Sequence, residues 1–181
     1  ITLKKSSSGA SWGDIGHPDA LLRAGEKLKQ LGATAIAVVT RFPDHSEDEA
    51  LRTYRLGLGV DPLAGAEALI SHLLVRHLLL PCAHAPGLAS LPVDIAVDPR
   101  AAAEELGYTF LPSVLIGLSR APDLIEIDDQ TIDLSSSKLI RPDDVGALIA
   151  PQGALGGEAV LSCLERSIPV IAVSNPGVIN V

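Results

Sequence analysis

The sequence predicts an α/β fold of three layers, Rossmann-like in general form, with helices covering a mostly parallel sheet. Hydrophobic residues make up 47% of the chain and aromatic residues only 3%. The core must therefore be built from Ala, Val, Leu and Ile, which favours helices packed on a parallel sheet. Short continuous apolar runs, typical of strands buried on both faces, alternate with helical segments. The last of them form a strand, Gly-rich loop, helix and strand, whose right-handed crossover places the strands parallel.

The charge and the cysteine content exclude several classes of protein. The formal net charge is -8 and no basic stripe offsets it, so neither a nucleic acid nor an anionic membrane is an expected partner. The longest apolar run, residues 64–83, carries charged side chains and is predicted to be a core helix instead of a membrane span. Cys82 and Cys163 lie far apart in apolar surroundings, which indicates free thiols in a reducing compartment.

The first third of the chain predicts a loop, a helix and a buried strand. Residues 1–16 are rich in Ser and Gly and indicate a loop, either an anion-binding backbone or a mobile end. A helix is predicted over residues 17–31 and a strand over residues 35–39. The next segment, residues 40–45, follows the strand's carboxyl end, where α/β sheets bind ligands. Its candidate site residues are Arg41, Asp44 and His45, unless the segment is only a solvated loop.

The segment around residues 59–86 is the predicted centre of the fold. Asp61 is a good N-cap, Pro62 suits the first helical position, and Pro81 ends the helix. Residues 64–80 are apolar on almost every face, so this helix should be buried on more than one side. The polar residues that interrupt the helix, and those in the predicted loop after it, indicate a functional site: Glu67, Ser71, His72, Arg76, His77, Cys82 and His84.

The remaining elements complete the predicted sheet. Short helices are expected over residues 50–56 and 98–106, and a second buried strand over residues 111–118. Residues 123–141 are polar and acidic, and predict an irregular excursion carrying a hairpin or an edge strand. A strand over residues 145–150, a Gly-rich loop, a helix over residues 158–166 and a strand over residues 168–173 follow.

Three residues are the candidates for catalysis. Cys82 could act as a nucleophile with His84 or His72 as its base, because a loop cysteine beside a base can ionise. The alternative is that Cys82 is a small buried hydrophobic residue. A metal site is not predicted, since His72 and His77 are five residues apart and do not share a helix face.

Residues that could bind an anion follow the predicted strands. Arg120, preceded by Ser119, is the best candidate because a guanidinium pairs bidentately with carboxylate or phosphate. Its alternative is an ion pair with a nearby acid, namely Glu104, Glu105 or Asp123. Arg41 is the second candidate. The loop glycines Gly153, Gly156 and Gly157 precede a helix whose N-terminus could bind an anion in the same cleft, although Glu158 would oppose it.

Several ordered blocks of the sequence resemble a known family. They are GASWGDIGHPDALLRAGEKL, RFPD, GVDPLAGAEALISHL, PCAHAP, AAEELGYTFLPSVLIGLSRAP and LGGEAVLSCLERSIPVIAV. Together they resemble domain-of-unknown-function family 3326 of cyanobacteria and plant plastids, over nearly the whole chain. The resemblance implies a cytoplasmic or chloroplast-stromal protein whose relatives are longer at the N-terminus. It supplies no catalytic residue.

The lead functional hypothesis is an enzyme of hydrolase or isomerase type that acts on a small anionic molecule at the carboxyl edge of the sheet. The alternative is a non-catalytic ligand-binding or assembly protein. The chain starts at Ile1 and contains no methionine, so we expect a single domain over residues 1–181 that forms the C-terminal part of a longer protein. Its expected partner is a separate N-terminal fragment or a second copy, because a small sheet would leave an edge exposed.

Overall fold

The computed structural model describes residues 2–7, 11–42, 49–87, 94–108, 111–126, 133, 135–136 and 138–174. The chain divides into two compact units, residues 1–127 and 128–181. The first unit contains β1 (Thr2–Lys5), β2 (Ser11–Asp14), α1 (Pro18–Gln30), β3 (Ile36–Thr40), α2 (Glu49–Arg55), α3 (Ala64–Leu78), β4 (Cys82–Pro86), α4 (Pro99–Tyr108) and α5 (Leu111–Ser119). The second contains a 3-10 turn (Pro142–Asp144), β5 (Leu148–Pro151), α6 (Glu158–Glu165) and β6 (Val170–Val173).

The chain has an α/β fold in which helices accompany small sheets. Within the described residues, β1 and β2 pair antiparallel, whereas β3 pairs with β4 and β5 pairs with β6 in parallel. The mostly parallel pairing agrees with the class predicted from composition. The predicted helices over residues 17–31, 50–56, 98–106 and 158–166 are confirmed by α1, α2, α4 and α6.

Helix α3 is the centre of the first unit, as its apolar sequence predicts. It packs against β2, β4 and α1. Its buried face supplies four of the six residues of the core cluster, Ala66, Ile70, Leu74 and Leu78, and Ile36 and Phe42 complete the cluster. These apolar side chains leave water together, which is the main favourable term in forming this unit.

The prediction that Asp61 is the N-cap and Pro62 the first helical residue is wrong, because α3 begins at Ala64 and Leu63 occupies the N-cap position without a side-chain cap. The Asp61 carboxylate accepts a hydrogen bond of 2.8 Å from the Leu63 backbone N–H, in the turn that enters the helix. At the other end, Leu79 adopts the left-handed conformation, with φ 53°, and its N–H donates to the Val75 carbonyl. Pro81 follows, so the helix ends two residues earlier than predicted.

The prediction that Cys82 and His84 lie in a loop is wrong, because both belong to strand β4. Cys82 is opposite Ile36, and His84 is opposite Val38, in the parallel pair. The prolines at both ends and the polar residues between them indicate a loop, but Pro86 ends the strand without interrupting it. Residues two apart on a strand share a face, so Cys82 and His84 project to the same side of β4. Cys82 packs against the core cluster there.

The predicted buried strand over residues 111–118 is also wrong, because these residues form helix α5. Helix α5 contacts β3, β4 and α4. A run of about eight apolar residues fits a buried strand or a helix equally well by pattern, so packing decides between them. Leu115 and Ile116 remain half-exposed on α5, which a strand buried on both faces would not allow.

Strands β1 and β2 form an antiparallel pair, called the hairpin below, where the sequence predicts a loop. Within it, Lys4 forms an ion pair with Asp14 and lies 4.4 Å from the centre of the Trp12 ring. These cross-strand contacts outweigh the low strand propensity of the Ser and Gly residues.

The second unit confirms the predicted strand, helix and strand order. Its first strand begins at Leu148, later than predicted, and follows the 3-10 turn. Residues 123–126 and 138–141 are irregular, as expected for the acidic segment. Residues 127–132, where a hairpin or edge strand could lie, are outside the described residues.

Two glycines let the hairpin approach the first turn of α3 closely. A Cβ on Gly65 would lie 2.1 Å from the Ser11 carbonyl oxygen, and one on Gly13 would lie 2.8 Å from the Ala66 Cβ. The Gly65 N–H also donates to Ser11 Oγ at 3.1 Å. Strand β2 and the start of α3 are therefore in backbone contact, which a side chain on Gly65 would prevent.

We expect Gly65→Ala to lower the free energy of unfolding by about 1–3 kcal/mol, because the added methyl group overlaps the backbone of Ser11. Chemical denaturation followed by circular dichroism measures this difference. Gly117→Ala is the matched control, since nothing lies within 4 Å of a Cβ at Gly117 in α5. That variant should be unchanged or stabilised by up to about 1 kcal/mol through helix propensity. Equal stability of the two variants would contradict the close approach.

Candidate functional site

Helix α3 carries two buried polar residues on one side. Glu67 and Ser71 are four residues apart, so their side chains lie one turn from each other on the same helix face. Only 4% of Glu67 and 8% of Ser71 is exposed to solvent. A carboxylate and a hydroxyl in such surroundings require polar partners, because each loses its hydration.

Strand β4 brings His84 against both of them. The His84 Nδ1 and Ser71 Oγ form a hydrogen bond, and the His84 Nε2 lies 3.9 Å from Glu67 Oε2. The imidazole therefore lies between a hydroxyl and a carboxylate. With the proton on Nε2, Nδ1 accepts the hydrogen bond that the Ser71 hydroxyl donates. This is the arrangement in which a histidine can accept the proton of a serine.

The surroundings of His84 favour its neutral form. Burial lowers the pKa of His84, and the nearby charge of His72 lowers it further. A neutral imidazole is the form that accepts a proton, so His84 is suited to act as a base near pH 7. About a quarter of its side chain is exposed, which makes it the most accessible of the three residues.

Cys82 has the opposite electrostatic character. Burial raises the pKa of its thiol, and Sγ donates to the Leu80 carbonyl at 3.3 Å. A thiol in this environment resists the ionisation that nucleophilic attack needs. The nucleophile role of Cys82 stays a prediction, and its packing against the core fits the alternative of a small hydrophobic residue.

The two histidines of α3, His72 and His77, have different surroundings. His72 is exposed, and its charge acts on His84. His77 instead contacts Glu26 of α1, with Nε2 2.7 Å from Oε1. The described residues contain no group of three or more His, Cys, Asp or Glu side chains that could hold a metal ion.

The first-unit residues predicted to bind an anion lie around the ends of β3 and α5. Arg41 follows β3 and is exposed. The next residue, Phe42, packs in the core cluster. Arg120 is exposed at the end of α5, and Ser119 Oγ donates to the Ile116 carbonyl at 2.7 Å.

One of the predicted acid partners of Arg120 forms an ion pair with a different arginine. Glu105 pairs with Arg55 of α2, with Nε 2.8 Å from Oε1, in a contact where both side chains are one-fifth exposed. The second-rank candidates Asp44 and His45 lie outside the described residues. The anion-binding roles of Arg120, Arg41 and Ser119 stay predictions.

The Gly-rich loop belongs to the second unit. Gly157 precedes α6 in an extended conformation, and its carbonyl accepts from the Leu161 N–H at 3.1 Å. A Cβ on Gly156 or Gly157 would meet nothing within 4 Å, so these glycines are not required by packing. Anion binding by Gly153, Gly156 and Gly157 stays a prediction.

Comparison with known proteins identifies the family. The family described as "Protein of unknown function (DUF3326)" matches residues 1–181. The chain belongs to this family. An uncharacterized lipoprotein of the cyanobacterium Synechococcus sp. is 52% identical over 174 residues, which are 96% of this chain and 47% of that relative. This DUF3326 chain thus spans about half the length of the curated relative it matches. No solved structure matches it.

The relative supports the cyanobacterial part of the resemblance stated from the sequence blocks. That relative is named as a lipoprotein. Among the described helices of this DUF3326 chain, none is long and apolar enough to cross a membrane.

Ser71 and Glu67 are among the polar residues that the sequence marks on the central helix, but neither was predicted to be catalytic. A signal for them exists: a serine and an acid four residues apart interrupt an otherwise apolar helix. Neither could be connected to His84, because the segment holding His84 was predicted as a loop. The strand pairing of β4 with β3 is what places the imidazole opposite α3.

Acidification should destabilise the protein through His84. Because its folded pKa is lowered, the unfolded chain binds the proton more readily, and stability is lost as the pH falls below about 6.5. We expect His84→Gln to flatten the dependence of the unfolding midpoint on pH between 7.5 and 5. Denaturation at a series of pH values measures it.

His77→Gln is the control for that experiment, because His77 is an exposed histidine of the first unit whose ring contacts Glu26. It should leave the loss of stability below pH 6.5 in place. An acid dependence that is the same in His84→Gln as in the unmodified protein would contradict the lowered pKa of His84.

Proposed function

We propose that this chain is an enzyme of the hydrolase type that acts on a small anionic ester or related acyl compound. Ser71 is the nucleophile and His84 is the base. The observation that carries the proposal is the hydrogen bond between Ser71 Oγ and His84 Nδ1 on the buried side of α3. A nucleophile within hydrogen-bond reach of a neutral imidazole is the pattern that nucleophilic catalysis requires.

The proposed reaction has two steps. Ser71 Oγ attacks the carbonyl carbon while its proton passes to His84 Nδ1, and the same proton then goes to the leaving alkoxide as the ester bond breaks. Water next attacks the acyl-serine, giving its proton to His84, and the acid product leaves as Ser71 Oγ recovers that proton. No oxidant, reductant or metal ion is needed for either step.

The burial of the site supports a small substrate. Ser71 is almost fully covered, and the exposed edge of His84 is the accessible part of the pair. A substrate must reach a nearly covered hydroxyl, so a compact acyl group fits better than a folded protein or a polymer. Catalytic sites commonly exclude bulk water in the same way.

The preference for an anion rests on the cationic groups of the first unit. His72 adjoins Ser71 on α3, and its charge is felt at His84. Arg41, Arg120 and Ser119 are proposed to bind the acidic group of the substrate where β3 and β4 end. Parallel strands have their carboxyl ends at one edge, and Gly87 N–H donates to the Thr40 carbonyl at that edge. Within the second unit, the loop of Gly153, Gly156 and Gly157 is proposed to bind an anion by itself through its backbone N–H groups.

The three-layer arrangement of the fold and the location of the protein are part of the same proposal. A three-layer, Rossmann-like arrangement would cover both faces of the parallel strands, and the contacts of α3 with β4 and of α5 with β3 and β4 support it. A cytoplasmic or stromal location, and association with a second copy or an N-terminal fragment, are proposed with it. The lipoprotein name of the relative leaves a membrane-attached form as the alternative location.

Covalent labelling of Ser71 is the test of the nucleophile. We expect a fluorophosphonate probe to modify the protein at Ser71, identified by peptide mass spectrometry, because the probe reacts with serines activated by a base. Ser71→Ala should abolish this labelling, and His84→Gln should slow it by about 10²–10⁴-fold through loss of the proton acceptor. Hydrolysis of short p-nitrophenyl esters should fall in parallel.

Ser162→Ala is the matched control, since Ser162 is an exposed helical serine on α6. It should leave both readings unchanged. Circular dichroism spectra must be the same for all variants. A folded protein in which the probe does not modify Ser71 would refute the hydrolase and favour the alternative, a non-catalytic ligand-binding or assembly protein.

The preference for an anion is tested separately. Arg120→Gln should raise KM for an ester that carries a free carboxylate by about tenfold or more, while KM for the neutral methyl analogue stays constant. An equal change for both esters would contradict a role in binding the charge, whatever the outcome at Ser71.

A further inference from the structure

We propose that Glu67 is a positioning residue that holds His84 with its proton on Nε2, leaving Nδ1 free to accept from Ser71. The inference deepens the proposed function and rests on it for its catalytic consequence. The geometry that supports it is local to α3 and β4. Glu67 Oε2 faces the Nε2 side of the ring while Ser71 Oγ contacts the Nδ1 side.

The helix fixes the distance between the two contacts. Glu67 and Ser71 are one turn apart on α3, so they meet opposite sides of a single imidazole. A neutral imidazole carries one N–H, and which nitrogen bears it decides whether the ring can accept a proton from the serine. With the proton on Nδ1, the ring would donate to Ser71 Oγ, and the hydroxyl would not be activated.

Charge selects between these two forms. The contact of 3.9 Å between Nε2 and Oε2 is longer than a direct hydrogen bond, but a carboxylate still attracts an N–H dipole across this distance. Glu67 is 4% exposed, so water screens that attraction little. The carboxylate therefore favours the Nε2–H form without having to share the proton.

The chain contains its own comparison. His77 and Glu26 form a second histidine–carboxylate contact, in which each side chain is more than two-fifths exposed. That contact is a direct hydrogen bond of 2.7 Å, in which Nε2 donates because a carboxylate only accepts, but its exposure lets water compete with it. Glu26 therefore provides a histidine–carboxylate pair that does not involve His84, at which the same substitution can be made as a control.

The proton position can be observed directly. Two-dimensional long-range ¹⁵N–¹H NMR of protein labelled with ¹⁵N-histidine distinguishes a protonated ring nitrogen from a bare one. At pH 7.5 we expect His84 in the unmodified protein to be protonated at Nε2 alone. In Glu67→Gln, the amide presents an acceptor or a donor to the ring, and the two tautomers should become mixed.

Loss of the single His84 tautomer should also slow the reaction of Ser71. Glu67→Gln should slow fluorophosphonate labelling of Ser71 by about 10²–10⁴-fold, because only a fraction of the molecules then hold a base beside the hydroxyl. Glu67→Asp keeps the charge on a shorter side chain and should retain the Nε2–H form with part of the rate. It also provides a test if Glu67→Gln does not fold.

Glu26→Gln is the matched control, and it should change neither the His84 tautomer nor the rate. Unchanged His84 signals in both Glu67 variants would overturn the inference. If Ser71 is never labelled and the His84 tautomer nevertheless shifts in Glu67→Gln, the hydrolase fails while the positioning role stands. If labelling slows and the tautomer does not shift, the positioning role fails while the hydrolase stands.

Discussion

The burial of α3 is the interaction on which the first unit depends. This one helix contacts the hairpin, α1 and β4, and its residues Ile70 and Leu74 are almost completely removed from water. Burying a side chain of this size contributes on the order of 1.5–3 kcal/mol, which exceeds what an exposed ion pair supplies. Because the apolar face of α3 is buried, the polar side chains beside it lose their contact with water as well. Glu67 and Ser71 have their unusual surroundings for that reason.

At His84 two effects of opposite sign compete. A carboxylate 3.9 Å away favours the imidazolium ion, whereas burial and the charge of His72 disfavour it. The net pKa is lowered, so burial outweighs attraction at this position. A stronger contact with Glu67 would reverse that balance and leave a charged ring that cannot accept a proton. The long distance is therefore compatible with a base, and a close ion pair would not be.

The sequence predicted those elements whose local signals agree with their packing. Residues 64–80 are apolar on most faces, and α3 forms within them, although its N-cap is Leu63 and not the predicted Asp61. The runs at β3 and β6 are apolar, β-branched and bounded by turns, so pattern and burial lead to the same result. The same pattern failed for α5, because a nine-residue apolar segment carries no period that separates helix from strand. The proposed site includes residues of the helix that the sequence marked, but its other members depend on β4, whose register with β3 no local signal reveals.

The contact between Gly65 and Ser11 joins residues 54 positions apart, and this separation affects the order in which the unit folds. A helix and a short hairpin each form within about microseconds, but bringing together segments so distant in the chain requires closing a long loop first. The first turn of α3 thus gains these neighbours only once that loop has closed. Ala66, which is completely buried under β2, directly precedes Glu67. The surroundings of the buried acid beside His84 therefore depend on the N-terminal hairpin as well as on the helix that carries this acid.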